Sequence, residues 1–172
     1  STQVRCREEY QSDVEALLSL VHLEFVDLVG TRVKRADSLA KIPTLRFLDL
    51  SRTQVEGIGK LSDIKELRHL KMNHTLLKDL KGVELMGSLE SLEVAWTRVK
   101  DIKLLEGAKT LLSMNLDGIE AEDFTPLHSL KRLKRLSLWK TKISRKALDE
   151  LKRAVPGVAI TGCDGKTVMP CM

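Results

Sequence analysis

The chain has 172 residues, a length that suits one domain, and 42% of them are apolar while 31% are charged. This mixture excludes collagen-like and disordered chains, and the longest apolar stretches are too short to span a bilayer. The formal net charge of +5 makes an acidic partner possible without requiring one. Leucine occurs thirty times, whereas Phe, Trp and Tyr together occur six times, so the core must be aliphatic.

The three cysteines, Cys6, Cys163 and Cys171, are an odd number split between the two ends of the chain. Neither a disulfide framework nor a Cys-x-x-Cys zinc site is therefore expected. Free thiols favour a reducing compartment, so we expect an intracellular protein, cytoplasmic or nuclear. The glycosylation sequon at Asn73 and a first residue that is Ser1 rather than Met leave a secreted form open.

An apolar pattern recurs every 22 residues and keeps its phase without an insertion. One unit reads Leu45-x-x-Leu48-x-Leu50-x-x-Thr53-x-Val55-x-x-Ile58-x-x-Leu61-x-x-Ile64. The alternation at Leu48 and Leu50 predicts a short strand with two side chains turned inward. The apolar residues at every third position after Thr53 predict a tight 3₁₀-like return. Because one unit cannot bury its own apolar edge, the units are expected to stack.

This pattern resembles the 22-residue leucine-rich repeat of the SDS22-like class, which internalins also use. The resemblance covers nearly the whole chain. It implies an α/β fold, a right-handed solenoid with a parallel β-sheet on its concave face and 3₁₀ or short helical returns on its convex face. Thr53 and its counterparts take a place that is usually Asn or Cys in this class, where a hydroxyl can bond to the nearby backbone. Ile119 interrupts this row of threonines.

The two ends of the chain depart from the repeat. We expect an N-terminal cap or degenerate repeat over 1–22, with a cap helix at Asp13–Leu20, six repeats over 23–154, and a strand, cap and tail over 155–172. After Thr141 the apolar spacing becomes helical, which predicts an α-helix over 144–154 capped by Ser144. A last strand is expected near Val158–Ile160, and together these parts form one continuous domain.

The predicted register leaves four of the six aromatic residues on the concave face, namely Phe25, Phe47, Trp96 and Trp139. Phe25 and Phe47 belong to adjacent strands and are expected to stack. Exposed aromatic side chains are the usual anchors of protein interfaces. The alternative for the phenylalanine pair is that the N-terminal cap covers it.

Charged residues accompany these aromatics on the same face. Asp27 and Asp49 are expected to be neighbours, with Lys71 next in line, and with Glu93 they would recognise basic groups on a ligand. An acid–base catalytic site is disfavoured because no third catalytic group is implied. The predicted partner-binding residues are Phe25, Asp27, Phe47, Asp49, His69, Lys71, Glu93, Trp96, Arg135, Trp139 and Lys140.

The C-terminal part of the chain carries a basic patch with a net charge of +8 between Lys131 and Arg153, which leaves −3 for the remainder. Its members are Lys131, Arg132, Lys134, Arg135, Lys140, Lys142, Arg145, Lys146, Lys152 and Arg153. Arg135, Trp139 and Lys140 share the concave rim, where they could hold an acidic peptide or stack a base beside a phosphate. A solvated capping helix explains the same charges equally well.

The leading hypothesis is a non-enzymatic scaffold that binds a protein partner on its concave face. A ribonucleoprotein component that uses the basic end for RNA is the first alternative. A regulatory subunit of a protein phosphatase, as the SDS22 resemblance implies, is the second. His69 and His74 are expected at opposite ends of one strand, and no glycine-rich phosphate loop or Cys–His pair occurs. We therefore expect no catalytic residue, no metal, no cofactor and no small-molecule substrate.

Overall fold

A computed structural model describes residues 2–5, 14–19 and 22–162. In this part of the chain a single parallel sheet contains eight short strands, arranged in chain order. The strands are β1 (Thr2–Arg5), β2 (Leu23–Asp27), β3 (Phe47–Asp49), β4 (His69–Lys71), β5 (Ser91–Glu93), β6 (Ser113–Asn115), β7 (Arg135–Ser137) and β8 (Ala159–Thr161). From β2 to β7 the paired residues of neighbouring strands are 22 positions apart in sequence, as Phe25 and Phe47 are. The predicted register is confirmed.

Each strand returns through a short segment on the other side of the sheet. The 3₁₀ segments are Val14–Ser19, Asp37–Lys41, Gly59–Asp63, Val83–Leu85, Lys103–Gly107 and Thr125–Ser129. This alternation of strand and return confirms the predicted solenoid. No helix among the described residues is long and apolar enough to cross a bilayer.

The C-terminal return is an α-helix, α1 (Arg145–Ala154), as the sequence predicts. The Ser144 hydroxyl caps it by accepting a hydrogen bond of 3.1 Å from the Ala147 amide. At the other end, the described part of the predicted cap helix is a 3₁₀ segment. Its outer residues, Asp13 and Leu20, lie outside the described residues, as do the three cysteines.

The core is a stack of aliphatic layers between the sheet and the returns. The inward residues at the centres of β3 to β7 are all at most 3% exposed, namely Leu48, Leu70, Leu92, Met114 and Leu136. Burial of such side chains is the main stabilising contribution to the fold. In the described residues every buried side-chain nitrogen or oxygen has a hydrogen-bond partner.

A row of buried threonines follows the strands and supplies some of those hydrogen bonds. Each hydroxyl donates to the carbonyl oxygen three residues earlier, at 2.6–2.8 Å, in Thr31, Thr53, Thr75, Thr97 and Thr141. Ile119 fills the corresponding place in the remaining unit and is itself buried. These hydrogen bonds therefore stabilise the turns after the strands from the interior. At Ile119 an apolar side chain takes the place of the hydroxyl.

Replacing Thr53 by Val is expected to lower the free energy of unfolding by about 1–2 kcal/mol, because the Leu50 carbonyl loses a buried donor. Chemical denaturation followed by circular dichroism measures the change. Thr161→Val, at an exposed position on β8, is the control and is expected to change stability by less than about 0.5 kcal/mol. Equal losses in the two variants would contradict a structural role for the threonine row.

Candidate functional site

The outward side of the sheet corresponds to the predicted concave face and is called the sheet face below. It carries aromatic residues in register on three adjacent strands, β2, β3 and β4. The rings of Phe25 and Phe47 are stacked with centroids 4.2 Å apart and planes 6° apart, as the sequence predicts. The imidazole ring of His69 comes next, with its centroid 6.1 Å from the centroid of the Phe47 ring. The guanidinium of Arg5 lies 5.6 Å from the Phe25 centroid, and Lys71 Nζ lies 5.9 Å from that of Phe47. We call Phe25, Phe47 and His69 the phenylalanine cluster.

The described N-terminal strand does not lie across this pair. β1 extends the sheet beside β2, with Gln3 opposite Phe25 and Arg5 opposite Asp27. Both phenylalanines remain half-buried. Among the described residues, the N-terminal segment therefore contributes a neighbouring strand and one cation to the sheet face.

At the carboxyl ends of the strands, β2 to β8 are each followed by a residue with positive φ, again at intervals of 22 residues. The φ angles lie between 53° and 85° in Gly30, Arg52, His74, Trp96, Gly118, Lys140 and Gly162. This conformation costs a residue with a side chain roughly 1–2 kcal/mol. Amides in this row donate across to the next unit, as Trp96 does to the Asp117 carbonyl at 2.7 Å. Neighbouring members of the row are therefore held at about one strand spacing.

Two tryptophans from this edge contact each other. The Trp96 and Trp139 rings meet edge to face, with centroids 5.8 Å apart and planes 74° apart. His74 is stacked on the other side at 6.2 Å from Trp96, and Lys140 Nζ lies 4.8 Å from the Trp139 centroid. Trp96 is 38% exposed and Trp139 is 49% exposed. We call His74, Trp96, Trp139 and Lys140 the tryptophan cluster.

The absence of a side chain at Gly118 permits this contact. Trp96 and Trp139 belong to repeats two apart, about 10 Å along the sheet, so the sequence analysis treats them as separate. Gly118 holds the same repeat position as Trp96 in the unit between them, and a Cβ atom there would lie within 2.7 Å of three atoms of the Trp96 ring. The sequence feature that could have revealed the pair is Gly118, a glycine at the position equivalent to Trp96 in the next repeat.

Asp117 fixes the backbone under Trp139, a role the sequence analysis does not assign. Its Oδ1 accepts hydrogen bonds from the Trp139 amide at 2.7 Å and from the Ser137 hydroxyl at 2.6 Å. The Asp117 amide in turn donates to Asn115 Oδ1 at 2.9 Å. The Asp117 carboxylate is thus engaged within the chain.

The acidic residues predicted to bind a partner also have partners within the chain. Asp27 and Asp49 each accept a hydrogen bond from the amide two residues further on, at 3.1 and 2.9 Å. Glu93 forms an ion pair with Lys71 at 3.0 Å and accepts from Asn73 Nδ2 at 2.7 Å. These carboxylates organise the strand ends and the centre of the sheet face.

The structure distributes the predicted basic patch over several elements. Arg135 lies on β7 and Lys140 follows that strand on the sheet side, and both are exposed. On the return side, Lys131 Nζ donates to the Ala154 carbonyl at 2.6 Å, at the end of α1. The other members precede β7 (Arg132 and Lys134), follow it (Lys142) or belong to α1 (Arg145, Lys146, Lys152 and Arg153). Only Arg135 and Lys140 of this set accompany the predicted aromatic residues.

Among the described residues, no three His, Cys, Asp or Glu side chains are grouped so that they could hold a metal ion. His69 belongs to the phenylalanine cluster and His74 to the tryptophan cluster, at opposite ends of β4. The arrangement supplies rings, cations and strand-edge polar groups, which are the chemical means of binding another molecule.

Replacing Gly118 by Ala is expected to displace the Trp96 ring, because the new methyl group would overlap it. Both tryptophans of the chain belong to the cluster, so intrinsic fluorescence reports on this site alone, and we expect its emission maximum and intensity to change. Gly157→Ala is the matched control: φ is also positive, at 86°, but nothing lies within 4 Å of the added carbon. Unchanged emission in Gly118→Ala would contradict the described contact.

Comparison with known proteins finds similarity in structure only. No family model matches the chain, and no curated protein matches it. Internalin C2 from Listeria monocytogenes is 22% identical with a TM-score of 0.81, over 92% of this chain and 70% of that one. The LRR protein LIC12759 from Leptospira interrogans is 18% identical with a TM-score of 0.69, over 84% of this chain and 44% of that one.

A third solved structure, the plant peptide hormone receptor RGFR1 in complex with RGF2, is 14% identical with a TM-score of 0.66. The match covers 84% of this chain and 25% of the receptor. The chain therefore spans less than half the length of the second and third of these proteins. At such identities the similarity concerns the fold.

Proposed function

We propose that this chain, which has the leucine-rich-repeat fold, is a non-enzymatic scaffold that binds a protein partner on its sheet face. The observation that carries the proposal is the pair of exposed tryptophans in edge-to-face contact beside the sheet. Tryptophan is enriched among the residues that contribute most to protein binding, because it combines a large apolar surface with a polar N–H group.

The position of the pair distinguishes it from the other exposed apolar residues. Among the described residues, Leu85 and Leu104 are also exposed, but both belong to 3₁₀ returns. Trp96 and Trp139 instead lie in the turns that follow β5 and β7. Trp96 takes the left-handed position, with φ of +56°, and Trp139 directly precedes the left-handed residue Lys140. Arg52, His74 and Lys140 share this backbone conformation, so the large exposed ring, rather than the turn, distinguishes Trp96.

The two aromatic clusters form a diagonal across the sheet face. Phe47 begins β3 and Trp96 follows β5, so the clusters are two strands, about 10 Å, apart along the sheet. They are also at opposite ends of the strands. One extended segment of a partner can therefore contact both clusters, with the Lys71–Glu93 ion pair between them.

The comparisons support the general class of function. The plant receptor that shares this fold is described in complex with RGF2, and the fold typically supplies a binding surface rather than a catalytic centre. Several cations that suggested RNA binding contact α1 or belong to it, which favours a protein partner over RNA. No residue of the chain points to a phosphatase as that partner.

Removal of the Trp96 ring tests the proposal. We expect Trp96→Gly to reduce binding of the partner by at least about tenfold, because an interface anchor is lost, while glycine relaxes the positive φ of this position. Proteins captured on the immobilised wild-type chain from a lysate of the source organism would be quantified by mass spectrometry against the variant. Arg52→Gly is the control, since it makes the same backbone change at φ +59° without removing a ring.

A second variant, Phe47→Ala, examines the other end of the diagonal and is expected to weaken the same interaction. A partner that is retained at wild-type levels by both Trp96→Gly and Phe47→Ala would contradict binding through the sheet face. Loss with Arg52→Gly equal to that with Trp96→Gly would attribute the effect to the turn backbone rather than to the indole.

A further inference from the structure

The cations on the first half of the sheet, strands β1 to β5, differ from those at β7 in whether a carboxylate of the chain lies beside them. In the first half, Arg5 lies 3.9 Å from the Asp27 carboxylate, and Lys71 forms its ion pair with Glu93 at 3.0 Å. Each cation there also lies near a phenylalanine ring. Arg5 and Lys71 are therefore compensated by carboxylates within the chain.

In the second half, the described residues offer the cations no such compensation. Arg135 and Lys140 are exposed, and neither has a carboxylate oxygen within 4 Å in this part of the chain. Asp117, which follows β6 in the turn beside Trp139, is engaged by the Ser137 hydroxyl and the Trp139 amide. A ligand at this end of the sheet must therefore supply the negative charge itself.

We propose that the tryptophan cluster and Arg135 bind an acidic peptide segment of the partner protein, with an apolar or aromatic side chain against Trp96 and Trp139 and carboxylates at Lys140 and Arg135. This inference rests on the proposed function and names the chemistry of its partner. Of the two ligands that the sequence allows for Arg135, Trp139 and Lys140, it selects the acidic peptide over a stacked base. Asp27, Asp49 and Glu93, which were expected to bind basic groups, already have partners in the chain.

The outward positions of β5, β6 and β7 suit a peptide. Ser91, Ser113, Asn115 and Ser137 present short neutral side chains along the sheet face, and all are half-buried. Such groups can donate to and accept from peptide amides without a charge of their own. Rings at the edge, neutral polar groups in the centre and two exposed cations together match a short segment with an apolar anchor and a few carboxylates.

The same geometry disfavours a nucleic acid strand. Non-specific binding of single strands needs a basic track that follows the phosphates together with rings that stack on successive bases. Here the Trp96 ring is in contact with His74 and lies close to Gly118, and the Trp139 ring is covered on one side by Lys140. Lys131, Lys146 and Arg153 of the basic patch are engaged at α1.

Selection from random libraries tests the inference without requiring the partner protein itself. A phage-displayed library of random peptides and a pool of random single-stranded RNA would each be selected against the wild-type chain. We expect enrichment of peptides that combine Asp or Glu with an aromatic or large aliphatic residue, and their binding should change the tryptophan fluorescence. Enrichment of basic or neutral peptides, absence of any enriched peptide, or tighter binding by the selected RNA would overturn it.

Charge variants then locate the bound peptide. The double variant Arg135→Gln/Lys140→Gln is expected to weaken the selected peptides at least tenfold and to remove most of the salt dependence of their affinity. The control Lys103→Gln/Lys109→Gln changes the net charge equally at two exposed positions on the return side and is expected to leave the affinity unchanged. Equal weakening by both double variants would overturn the assignment in favour of a general charge effect.

The test separates this inference from the proposed function. If the protein partner depends on Trp96 and Phe47 but the selected peptides are not acidic, the scaffold function holds and the acidic ligand is wrong. If neither Trp96→Gly nor Phe47→Ala weakens binding of the protein partner, the proposed function itself fails.

Discussion

Replacing Leu92 by Ala is expected to lower the free energy of unfolding by about 3–5 kcal/mol, which is typical of a fully buried leucine that leaves a cavity. Leu92 is the central residue of β5 and is 0% exposed. It pairs with Leu70 on one side and Met114 on the other, so the cavity opens in the middle of the stacked layers. Denaturant titration followed by circular dichroism measures the loss.

The matched control is Leu85→Ala, because Leu85 is 62% exposed on a 3₁₀ return. We expect it to change stability by no more than about 0.5 kcal/mol. Since each strand has only one inward side, a register displaced by one residue would expose Leu92. Similar losses in the two variants would therefore contradict the described register.

Replacing Gly107 by Ala is expected to cost about 1–3 kcal/mol, because the added carbon overpacks the contact between two neighbouring returns. A Cβ atom at Gly107 would lie 2.6 Å from Glu84 Cβ and 3.2 Å from Glu84 Cα. The second of these atoms is backbone, so a side-chain rotation of Glu84 cannot relieve the overlap. The segments Val83–Leu85 and Lys103–Gly107 would have to separate.

Gly87→Ala is the control for this prediction, because nothing lies within 4 Å of a carbon added there. Neither glycine has positive φ, so backbone strain does not distinguish them. We expect Gly87→Ala to be neutral or to stabilise the chain by up to about 1 kcal/mol, since alanine lowers the entropy of the unfolded chain. Thermal unfolding of the two variants in parallel gives the comparison, and a stable Gly107→Ala protein would contradict the close packing of the returns.

The fold was predictable because its determinants are local and repeated. Leu48 and Leu50 predict one strand, and the same spacing 22 residues later predicts the next. A wrong assignment in one unit would therefore be recognised by comparison with its neighbours. The stacking of Phe25 on Phe47 followed directly, because two residues in the same column of adjacent parallel strands lie about one strand spacing apart. The division of the chain into cap, six repeats and tail stays a prediction.

The tryptophan contact was not predictable from the same rule. Trp96 and Trp139 belong to different columns and to repeats two apart, so strand geometry alone keeps them separate. Their contact depends on the left-handed turn at Trp96 and on the missing side chain at Gly118. The left-handed position recurs from Gly30 to Gly162, but the apolar pattern indicates only which side chains are inside and not the conformation of the turns.

The partners that the charges on the sheet face have within the chain were not predictable for a related reason. Sequence columns show that Asp27 and Asp49 are neighbours, but not that each carboxylate accepts the amide two residues further along its own turn. In the same way, the run from Lys131 to Arg153 is continuous in sequence, although the strand and α1 divide it between two sides. Hydrogen bonds and element boundaries, rather than composition, determine which of these charges remain available.

Photo-crosslinking from defined positions tests the central claim, that a protein partner occupies the sheet face, most directly. Benzoylphenylalanine would replace Ser113, the first residue of β6 on the sheet face, and, in a second protein, the exposed Leu85 on a return. Each protein would be irradiated with the captured partner and the products identified by mass spectrometry. We predict a crosslink to the partner from position 113 and none from position 85; a crosslink from position 85 with none from position 113 would contradict the claim.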